Sequence, residues 1–462
     1  MNPFFPKKIN TRLHYFKIKK YLPVTNSGVI YHCGGISHTR DDTDVELDFR
    51  QESNFFYLSG VESSAGYHIL ISTESDAIYL VRPTISPTEQ LWKGIPQTDQ
   101  ELLDTYDVDH IIQADQITQL LKDIDPTIIY TLNTTDTSAI PQPFKKQLNI
   151  AVLKAAIYEA RLTKFPWEIS LLRYAAHISS HAHIDLMTTL GNKTKSDVYE
   201  AELEAKFRWV CSRNGLPRQC YIPIIASGPR AAVLHYTDNN KRIPIDDPHA
   251  LVLVDAGGEY RCYGSDVSRT FPASGKFSKE ASTIYNIVLK AQNAILDCIK
   301  AGVFWKDMHQ LVVRTLCQGL RQIGILVGEE EELIRLNIYR AFYFHGTGHS
   351  VGLDCHDVGG KGIGILKTGG IKGGISLEHF DRPLEENMVV TVEPGLYFND
   401  VSIQLWTQNR EYQSYFNMDK INQYRVVGGV RIEDTIVITR SGHDNLTIAP
   451  KQVSDIEAIM QQ

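Results

Sequence analysis

The stretch of this 462-residue chain that is richest in potential chemistry runs from Phe344 to Asp357. It contains three histidines, His345, His349 and His356, which are spaced by glycines. Histidine is a frequent metal ligand and an acid or base near neutral pH. Glycine lets the backbone turn tightly or approach a ligand closely. Because glycines between the first two histidines disfavour a helix, we predict an irregular loop that directs these side chains into a site.

Four carboxylates elsewhere in the chain follow or interrupt apolar segments. They are Asp255, Asp266, Glu393 and Glu433. A carboxylate at the end of an apolar strand is costly to bury unless it is paired or bound to a metal ion. Each residue alone is compatible with a turn or a surface strand. Together with the histidine loop, the set predicts a metal centre.

Four carboxylates and one imidazole can hold two divalent ions. Oxygen-rich ligation with one nitrogen favours a hard ion such as Mn²⁺, and Zn²⁺ and Co²⁺ remain possible. Two such ions lower the pKa of a water between them and stabilise a tetrahedral intermediate. The one Gly-x-Ser-x-Gly match, Gly348-His349-Ser350-Val351-Gly352, lies inside the predicted irregular histidine loop and not at a strand-to-helix turn, and the sequence has no P-loop. We therefore predict hydrolysis without a covalent nucleophile.

Short strands must position these carboxylates. The apolar run 250–254 leads to Asp255, and a second strand is predicted through Asp266 to Phe271. The run 387–392 leads to Glu393. A last strand is predicted to open at 430–434 and continue to Thr439; strand alternation places Arg431 and Glu433 on one face of it. A strand over 221–226 and helices from Trp167, over 195–214 and within 278–325 complete this catalytic domain, predicted over residues 160–462.

The N-terminal part, residues 1–150, is predicted to be a separate α/β domain. Residues 27–130 alternate short apolar segments with polar turns, and Phe55–Leu58 is predicted as one of the strands because of its aromatic content. Prolines at 141, 143 and 166 indicate the boundary with the second domain. The fold class that follows is α+β, with an α/β domain preceding the catalytic domain.

Composition excludes some classes of partner and indicates a compartment. A net charge of -7 argues against a general nucleic-acid binder, and no apolar run is long enough for a membrane span. Seven scattered cysteines without a Cys-x-x-Cys pair suit a reducing compartment, which predicts a cytoplasmic location. The acid-free, basic stretch from Met1 to Arg40 leaves a mitochondrial presequence as the alternative, but we favour a first surface helix of the N-terminal domain.

The residues around the predicted metal centre resemble the pita-bread metallopeptidases, the family of aminopeptidase P (Xaa-Pro aminopeptidase) and prolidase (Xaa-Pro dipeptidase). The resemblance is carried by Val-Asp-Ala-Gly, Ser-Asp-Val-Ser-Arg-Thr-Phe, His-Gly-Thr-Gly-His-Ser-Val-Gly-Leu, Thr-Val-Glu-Pro-Gly-Leu-Tyr and Gly-Gly-Val-Arg-Ile-Glu-Asp. It extends to Phe-Phe-Tyr-Leu-Ser-Gly in the N-terminal domain and thus covers nearly the whole chain. It implies a pita-bread catalytic domain and peptide substrates with proline in second position, and family members are often homodimers.

The resemblance also implies a role for each residue of the centre. Asp255 would bind one metal ion, Asp266 and Glu433 would bridge two, and His349 and Glu393 would complete the second. Glu393 would also act as general acid and base.

The resemblance further implies residues that surround this centre. His235, His345 and His356 would contact the substrate and support catalysis. Tyr221, Tyr397 and Arg431 match positions next to the metal ligands.

These motifs are compatible with two catalytic activities of the family and with a metal-free binding module of the same fold. Prolidases use a cation ahead of the Glu-Pro-Gly strand to bind the dipeptide carboxylate, and in this chain His379 takes that place, with Arg382 following. The segment 399–423, in contrast, looks like eukaryotic prolidases. We predict an Xaa-Pro aminopeptidase, with prolidase as the alternative. A metal-free binding module of the same fold is a remote alternative, because all five ligand positions are filled.

Overall fold

A computed structural model of the chain describes residues 8–24, 27–192, 197–359 and 382–462. The chain divides into two compact units, Met1–Leu162 and Thr163–Gln462. Within the described ranges, no helix has the length and apolar character that crossing a membrane requires.

The first unit is built on a six-stranded mixed sheet with the strand order β4-β3-β2-β1-β5-β6. Its elements are α1 (Thr11–Lys19), β1 (Gly28–Cys33), α2 (Ser53–Ser59), β2 (His68–Ser72), β3 (Ile78–Arg82), α3 (Pro87–Lys93), α4 (Asp99–Thr105), β4 (His110–Gln113), α5 (Ile117–Ile124), β5 (Ile128–Tyr130), β6 (Leu148–Asn149) and α6 (Leu153–Leu162). Strands β1 to β3 pair antiparallel, whereas β4, β5 and β6 join in parallel. Val29, Leu70 and Ile129 lie in the core between this sheet and α5.

The prediction of a strand at Phe55–Leu58 is wrong, because these residues form most of α2. The Glu52 side chain accepts a hydrogen bond from the backbone N–H of Phe55 and so caps the helix start. Gly60, at φ 72°, ends the helix in the left-handed conformation that glycine adopts readily. All seven helical residues except Asn54 are buried, so no polar face marks a helical period in the sequence.

The prediction of a first helix in the N-terminal domain is confirmed by α1. This helix contacts α2 and α6, and it buries His14, Tyr15 and Ile18. The ring of His14 stacks on that of Tyr57 with 3.7 Å between centroids. Arg12, Lys17 and Lys19 therefore lie on a helix whose other face is part of a folded core.

The second unit surrounds several short sheets with helices. Its elements are α7 (Pro166–Gly191), α8 (Glu200–Arg213), β7 (Arg218–Gln219), β8 (Ile224–Ser227), β9 (Leu251–Asp255), β10 (Gly258–Glu259), β11 (Ser268–Pro272), α9 (Lys279–Leu296), α10 (Trp305–Gln322), α11 (Glu330–Arg335), β12 (Val389–Val392), β13 (Gly395–Tyr397), α12 (Asp400–Thr407), α13 (Met418–Tyr424), β14 (Gly429–Arg431), β15 (Asp434–Ile438), β16 (His443–Asn445) and α14 (Val453–Met460). The sheets have the orders β11-β9-β8, β12-β15-β16, β13-β14 and β10-β7. A bridge between Ser268 and Glu433 links the first two of these sheets.

Several predicted elements of this unit differ in extent from the structure. The strands expected from 387 and from Asp266 begin two residues later, at Val389 and Ser268. The strand expected over 221–226 begins at Ile224, which leaves Tyr221 in the preceding loop. The helix expected over 195–214 begins at Glu200, and residue 195 lies outside the described residues. The strand expected from Val430 to Thr439 is two strands, β14 and β15, with Ile432 and Glu433 between them.

Candidate active site

Neighbouring strands bring three of the predicted carboxylates to one place. Asp255 ends β9 and pairs with Ser268 at the start of β11. Ser268 in turn bridges Glu433, which lies just before β15. Asp266 lies two residues before Ser268, in the loop that leads into β11. These carboxylates therefore converge because antiparallel pairing sets the register of segments that are far apart in the sequence.

The histidine loop is fixed along strand β12, which ends just before Glu393. The backbone N–H of Thr391 donates to the carbonyl of His349 at 2.8 Å, and that of Glu393 donates to the carbonyl of Thr347 at 2.8 Å. A Cβ atom at Gly348 would lie 2.1 Å from the Thr391 carbonyl oxygen, so glycine is required for this approach. The predicted irregular loop is confirmed, and its pairing with β12 aligns His349 with Glu393.

Asp266 is the most extensively bonded of the four carboxylates. Its Oδ1 accepts a hydrogen bond from the Tyr221 hydroxyl at 2.7 Å. Its Oδ2 accepts from the Cys355 thiol at 2.9 Å and lies 3.2 Å from His349 Nε2. The same Tyr221 hydroxyl lies 2.6 Å from Asp255 Oδ1, so one proton is shared between two carboxylates.

Arg431 reaches the other side of the cluster. It pairs with Asp255 Oδ2 at 2.5 Å and donates to the Tyr397 hydroxyl at 3.1 Å. Its Nε donates to the Ser268 hydroxyl at 2.9 Å, and that hydroxyl donates to Glu433 Oε2 at 2.6 Å. The Tyr397 hydroxyl also lies 2.9 Å from His345 Nε2. Arg431, Tyr397 and His345 thus form a hydrogen-bonded chain beside the carboxylates.

The cluster contains more negative charge than its cations can balance. Burial and the charge of Asp266 raise the pKa of Glu433 well above its usual range. Burial likewise raises the pKa of Glu393, to about 7, and that of Asp255. For Asp266, burial alone would raise the pKa, but the hydrogen bond and charge of His349, together with the hydrogen bonds from Cys355 and Tyr221, lower it to about 2. The carboxylates with raised pKa are those for which the protein supplies too little positive charge.

The surroundings of the site raise the pKa of one histidine and lower the pKa of two others. His349 is buried, which by itself would lower its pKa, but its hydrogen bond to Asp266 and the charges of Asp266 and Glu393 together raise the pKa to about 9. Burial and the charge of Arg431 lower the pKa of His345 to about 3. The charge of His349, followed by partial desolvation of the ring, lowers the pKa of His356 to about 4. In the absence of a metal ion, a protonated His349 is the counter-charge that the carboxylates attract.

The remaining predicted histidines lie at the edge of the cluster. The rings of His356 and His349 pack edge to face with 4.2 Å between their centroids, and His356 is exposed. His235 is exposed and follows a short 3₁₀ helix, Gly228–Ala232. Its neighbours Leu234 and Tyr236 pack against an apolar cluster that includes Tyr397, which places His235 near the site. Every predicted site residue is therefore brought to one region, with His235 at its exposed edge.

The residues fit a metal ion by their geometry and by their charge. Ligand atoms of Asp266, His349 and Glu433 all lie within 4.8 Å of one another, and all three residues are buried. Buried carboxylates without enough counter-charge are stabilised by a cation. The Nδ1 atom of His349 donates to the Ser350 carbonyl at 3.1 Å, which leaves Nε2 as the ligand atom. The donor set of oxygens with one imidazole nitrogen suits a hard or borderline divalent ion.

Two contributors to the site were not predicted from the sequence. Ser268 joins Glu433 to Arg431 through its hydroxyl, and the Cys355 thiol contacts Asp266. Ser268 opens strand β11, where Arg269 and Thr270 follow it, so a hydroxyl at this position gave no distinct signal. Cys355 is next to His356, but its neighbour Asp266 is 89 residues away in the chain, and local sequence gives no sign of that contact.

The fold and this site define a hydrolase class, the metallopeptidases. Residues 170–440 match the model of metallopeptidase family M24, and residues 14–129 match the aminopeptidase P N-terminal domain. The chain belongs to metallopeptidase family M24. The predicted family and the predicted fold class, an α/β domain followed by a pita-bread catalytic domain, are confirmed.

Individual relatives are similar along almost the whole chain. A probable Xaa-Pro aminopeptidase from Uncinocarpus reesii is 39% identical, over 94% of this chain and 90% of its own length. The structure of Pseudomonas aeruginosa aminopeptidase PepP is 30% identical with a TM-score of 0.81, covering 98% of this chain and 99% of that one. A zinc-substituted Escherichia coli aminopeptidase P in complex with product is 29% identical with a TM-score of 0.78, covering 98% of each chain.

Proposed function

We propose that this chain is a metal-dependent Xaa-Pro aminopeptidase, which removes the N-terminal residue from peptides with proline in second position. The observation that carries the proposal is a cluster of carboxylates with too little positive charge from the protein. Asp266, Glu433 and Glu393 lie around His349, and Asp255 joins Asp266 through the Tyr221 hydroxyl. The end-to-end similarity to proteins named Xaa-Pro aminopeptidase supports the substrate class.

We propose that these five residues hold two divalent ions, with Asp266 and Glu433 shared between them. When bound, the two ions would supply an activated water and would stabilise negative charge on the scissile carbonyl. Mn²⁺ is our proposed metal, because oxygen ligands dominate the set; Zn²⁺ and Co²⁺ are the alternatives.

The protein's own groups position the peptide and move its protons. Glu393 follows β12 at the centre of the cluster, where its carboxylate can accept a proton and return it to the leaving nitrogen. Arg431 and the Tyr221 hydroxyl fix the orientation of Asp255 through direct hydrogen bonds. Tyr397, bonded to both Arg431 and His345, fixes the imidazole of His345 at the site. His235 and His356 lie at the exposed edge, where a peptide would enter.

Proline in second position makes the scissile bond a tertiary amide, which has no N–H to donate. A site that required that donor would reject the substrate. The groups nearest the cluster are carboxylates, tyrosine hydroxyls and imidazoles, which do not depend on such a donor.

The test is hydrolysis of matched peptides by the metal-stripped chain before and after addition of Mn²⁺. We expect cleavage of an Xaa-Pro-Yaa tripeptide only after metal addition, and little cleavage when alanine replaces proline. Equal cleavage without metal would contradict the proposed mechanism, and equal cleavage of the alanine peptide would contradict the specificity.

An Xaa-Pro dipeptide in the same assay tests the prolidase alternative. Arg382 pairs with Glu385 in this structure, and His379 lies outside the described residues. Because Arg382 already has a carboxylate partner, we expect the tripeptide to be preferred. Preference for the dipeptide would instead indicate that this chain supplies a cation for the free carboxylate of the substrate.

We also propose a cytoplasmic homodimer. All seven cysteines are free, which supports a reducing compartment, and the dimer rests on the family resemblance alone. A reporter fused to residues 1–25 tests the location, since import into mitochondria would contradict it. Sedimentation of the full chain tests the oligomeric state.

A further inference from the structure

Cys355 places a sulfur atom beside the proposed metal centre. Its side chain is partly buried, and its thiol donates to Asp266 Oδ2 at 2.9 Å. The next residue, His356, packs its ring against that of His349. Ligand atoms of His349, Cys355 and His356 all lie within 4.8 Å of one another. A second set of potential metal ligands therefore overlaps the carboxylate-rich set.

The two sets have different chemical preferences. One imidazole and carboxylate oxygens suit Mn²⁺, whereas a thiolate with two imidazoles suits a thiophilic ion such as Zn²⁺. Zinc bond lengths place neighbouring tetrahedral ligand atoms about 3.5 Å apart. The separations seen here are at most 4.8 Å, and rotation of the exposed His356 side chain can bring its nitrogen closer to the other two ligand atoms. The Asp266 oxygen that already contacts the thiol is in position to be the fourth ligand.

The two sets compete because they share His349. Its Nδ1 is bonded to the Ser350 carbonyl, so Nε2 is the ring nitrogen available to a metal ion. One nitrogen cannot ligate two ions at once. An ion that takes His349 together with Cys355 would therefore withdraw a ligand from the carboxylate-rich centre.

We propose that Cys355, His356 and His349 form a binding site for a thiophilic divalent cation of the zinc class, with Asp266 as fourth ligand. Binding forms a metal–sulfur bond and releases the thiol proton to solvent. Because His349 and Asp266 are shared, occupation of this site excludes the proposed catalytic pair of ions. This inhibitory consequence rests on the proposed function, but the binding itself does not.

Cadmium is the probe for the binding step, because a cadmium–thiolate bond gives an ultraviolet charge-transfer band. Cd²⁺ is titrated into the full-length, metal-stripped chain and into its variants. We expect a band at one equivalent for the unmodified chain and for Cys298→Ser, a control that removes an exposed cysteine. We expect no band for Cys355→Ser, in which a hydroxyl can still donate to Asp266 and preserve the fold.

Two further variants identify the ligands. Cys220 interacts with Cys355, and Cys220→Ser should keep the band if Cys355 is the sulfur ligand. His356→Ala should weaken Cd²⁺ binding about tenfold or more, because one of the ligands is lost. Three results would overturn the assignment. The band could persist in Cys355→Ser, it could be lost in Cys220→Ser while Cys355→Ser keeps it, or the unmodified chain could show no band.

Competition is measured separately, as inhibition of Xaa-Pro-Yaa hydrolysis by Cd²⁺ in the presence of Mn²⁺. Half-inhibition should need about tenfold more Cd²⁺ in Cys355→Ser than in the unmodified chain or in Cys298→Ser. Equal inhibition of all three would overturn the competition. If the chain hydrolyses no such peptide, the proposed function fails while the charge-transfer band still decides whether the thiophilic site exists.

Discussion

Glu433 and Asp434 are consecutive buried carboxylates whose surroundings have opposite electrostatic effects. Asp434 is paired with Arg269 at 2.7 Å and with Lys451 at 2.6 Å, and it accepts a hydrogen bond from Asn445 at 2.8 Å. Although burial alone would raise its pKa, the charges and hydrogen bonds of Arg269 and Lys451 together lower it. Glu433 accepts a hydrogen bond from the Ser268 hydroxyl, and burial raises its pKa well above the usual range.

The comparison distinguishes a structural charge from one that is prepared for a ligand. The side chain of Asp434 points to a face where the protein itself supplies two cations. Glu433 points to the opposite face, where other carboxylates are its neighbours and raise its pKa further. Arg269 links the two faces, because it pairs with the Asp434 side chain and donates to the Glu433 backbone carbonyl at 2.7 Å. Asp434, Arg269 and Lys451 thus form a balanced network of charges. This network fixes the backbone at Glu433, whose own carboxylate has too little counter-charge.

The largest effect on activity is expected from Glu433→Gln. The amide removes a negative charge that the proposed metal ions need, so hydrolysis should fall by about 10⁴-fold, or ~5 kcal/mol in the activation barrier. Metal content, measured on the purified variant, should fall with it. The metal-free variant should unfold at the same denaturant concentration as the metal-free parent or a higher one, because like-charge repulsion is relieved. Retention of parental activity would refute the bridging role of Glu433.

Breaking the balanced network should instead destabilise the fold. Arg269→Met leaves Asp434 buried with Lys451 as its one remaining ion-pair partner among the described residues, and it also removes hydrogen bonds to backbone carbonyls. The free energy of unfolding should fall by about 3–5 kcal/mol with or without metal, as measured by denaturant titration.

Arg173→Met is the matched control for this prediction. Arg173 pairs with Asp444 at the surface, where both side chains are at least one-third exposed, and its loss should cost about 0–1 kcal/mol. Similar losses for the two variants would show that the buried network is not the stronger contributor.

The contrast between Glu433 and Asp434 also shows which features of the site could be predicted from the sequence and which could not. Apolar runs that end in Asp255 and Glu393 correctly predicted carboxylates that are largely removed from solvent, because a charged residue directly after an apolar run is visible in the local sequence. No local pattern separates the structural Asp434 from Glu433, since the partner that distinguishes them, Arg269, is 165 residues away. The α2 segment was missed for a related reason. Its aromatic residues are buried, and burial by distant parts of the chain erases the periodicity that would reveal a helix.

A smaller effect on the rate is expected from His356→Ala. His356 is exposed at the edge of the cluster and belongs to neither the balanced network nor the five proposed catalytic ligands. Loss of its imidazole should reduce kcat by about 10²-fold while Mn²⁺ content and unfolding free energy stay close to those of the parent. Metal analysis and steady-state kinetics on one preparation check this, and an unchanged kcat would remove His356 from the mechanism.

The smallest effect is expected from Ser268→Ala, which tests how the protein orients Glu433 without altering any charge. The hydroxyl donates to Glu433 Oε2 and accepts from Arg431 Nε, so its loss leaves the carboxylate free to rotate and leaves one guanidinium N–H unsatisfied. Loss of such a supporting contact typically costs about tenfold in metal affinity or activity. Ser268→Thr keeps a hydroxyl and should recover part of that loss. If Ser268→Ala instead lowers the unfolding free energy as much as Arg269→Met does, Ser268 belongs to the structural network and not to the site.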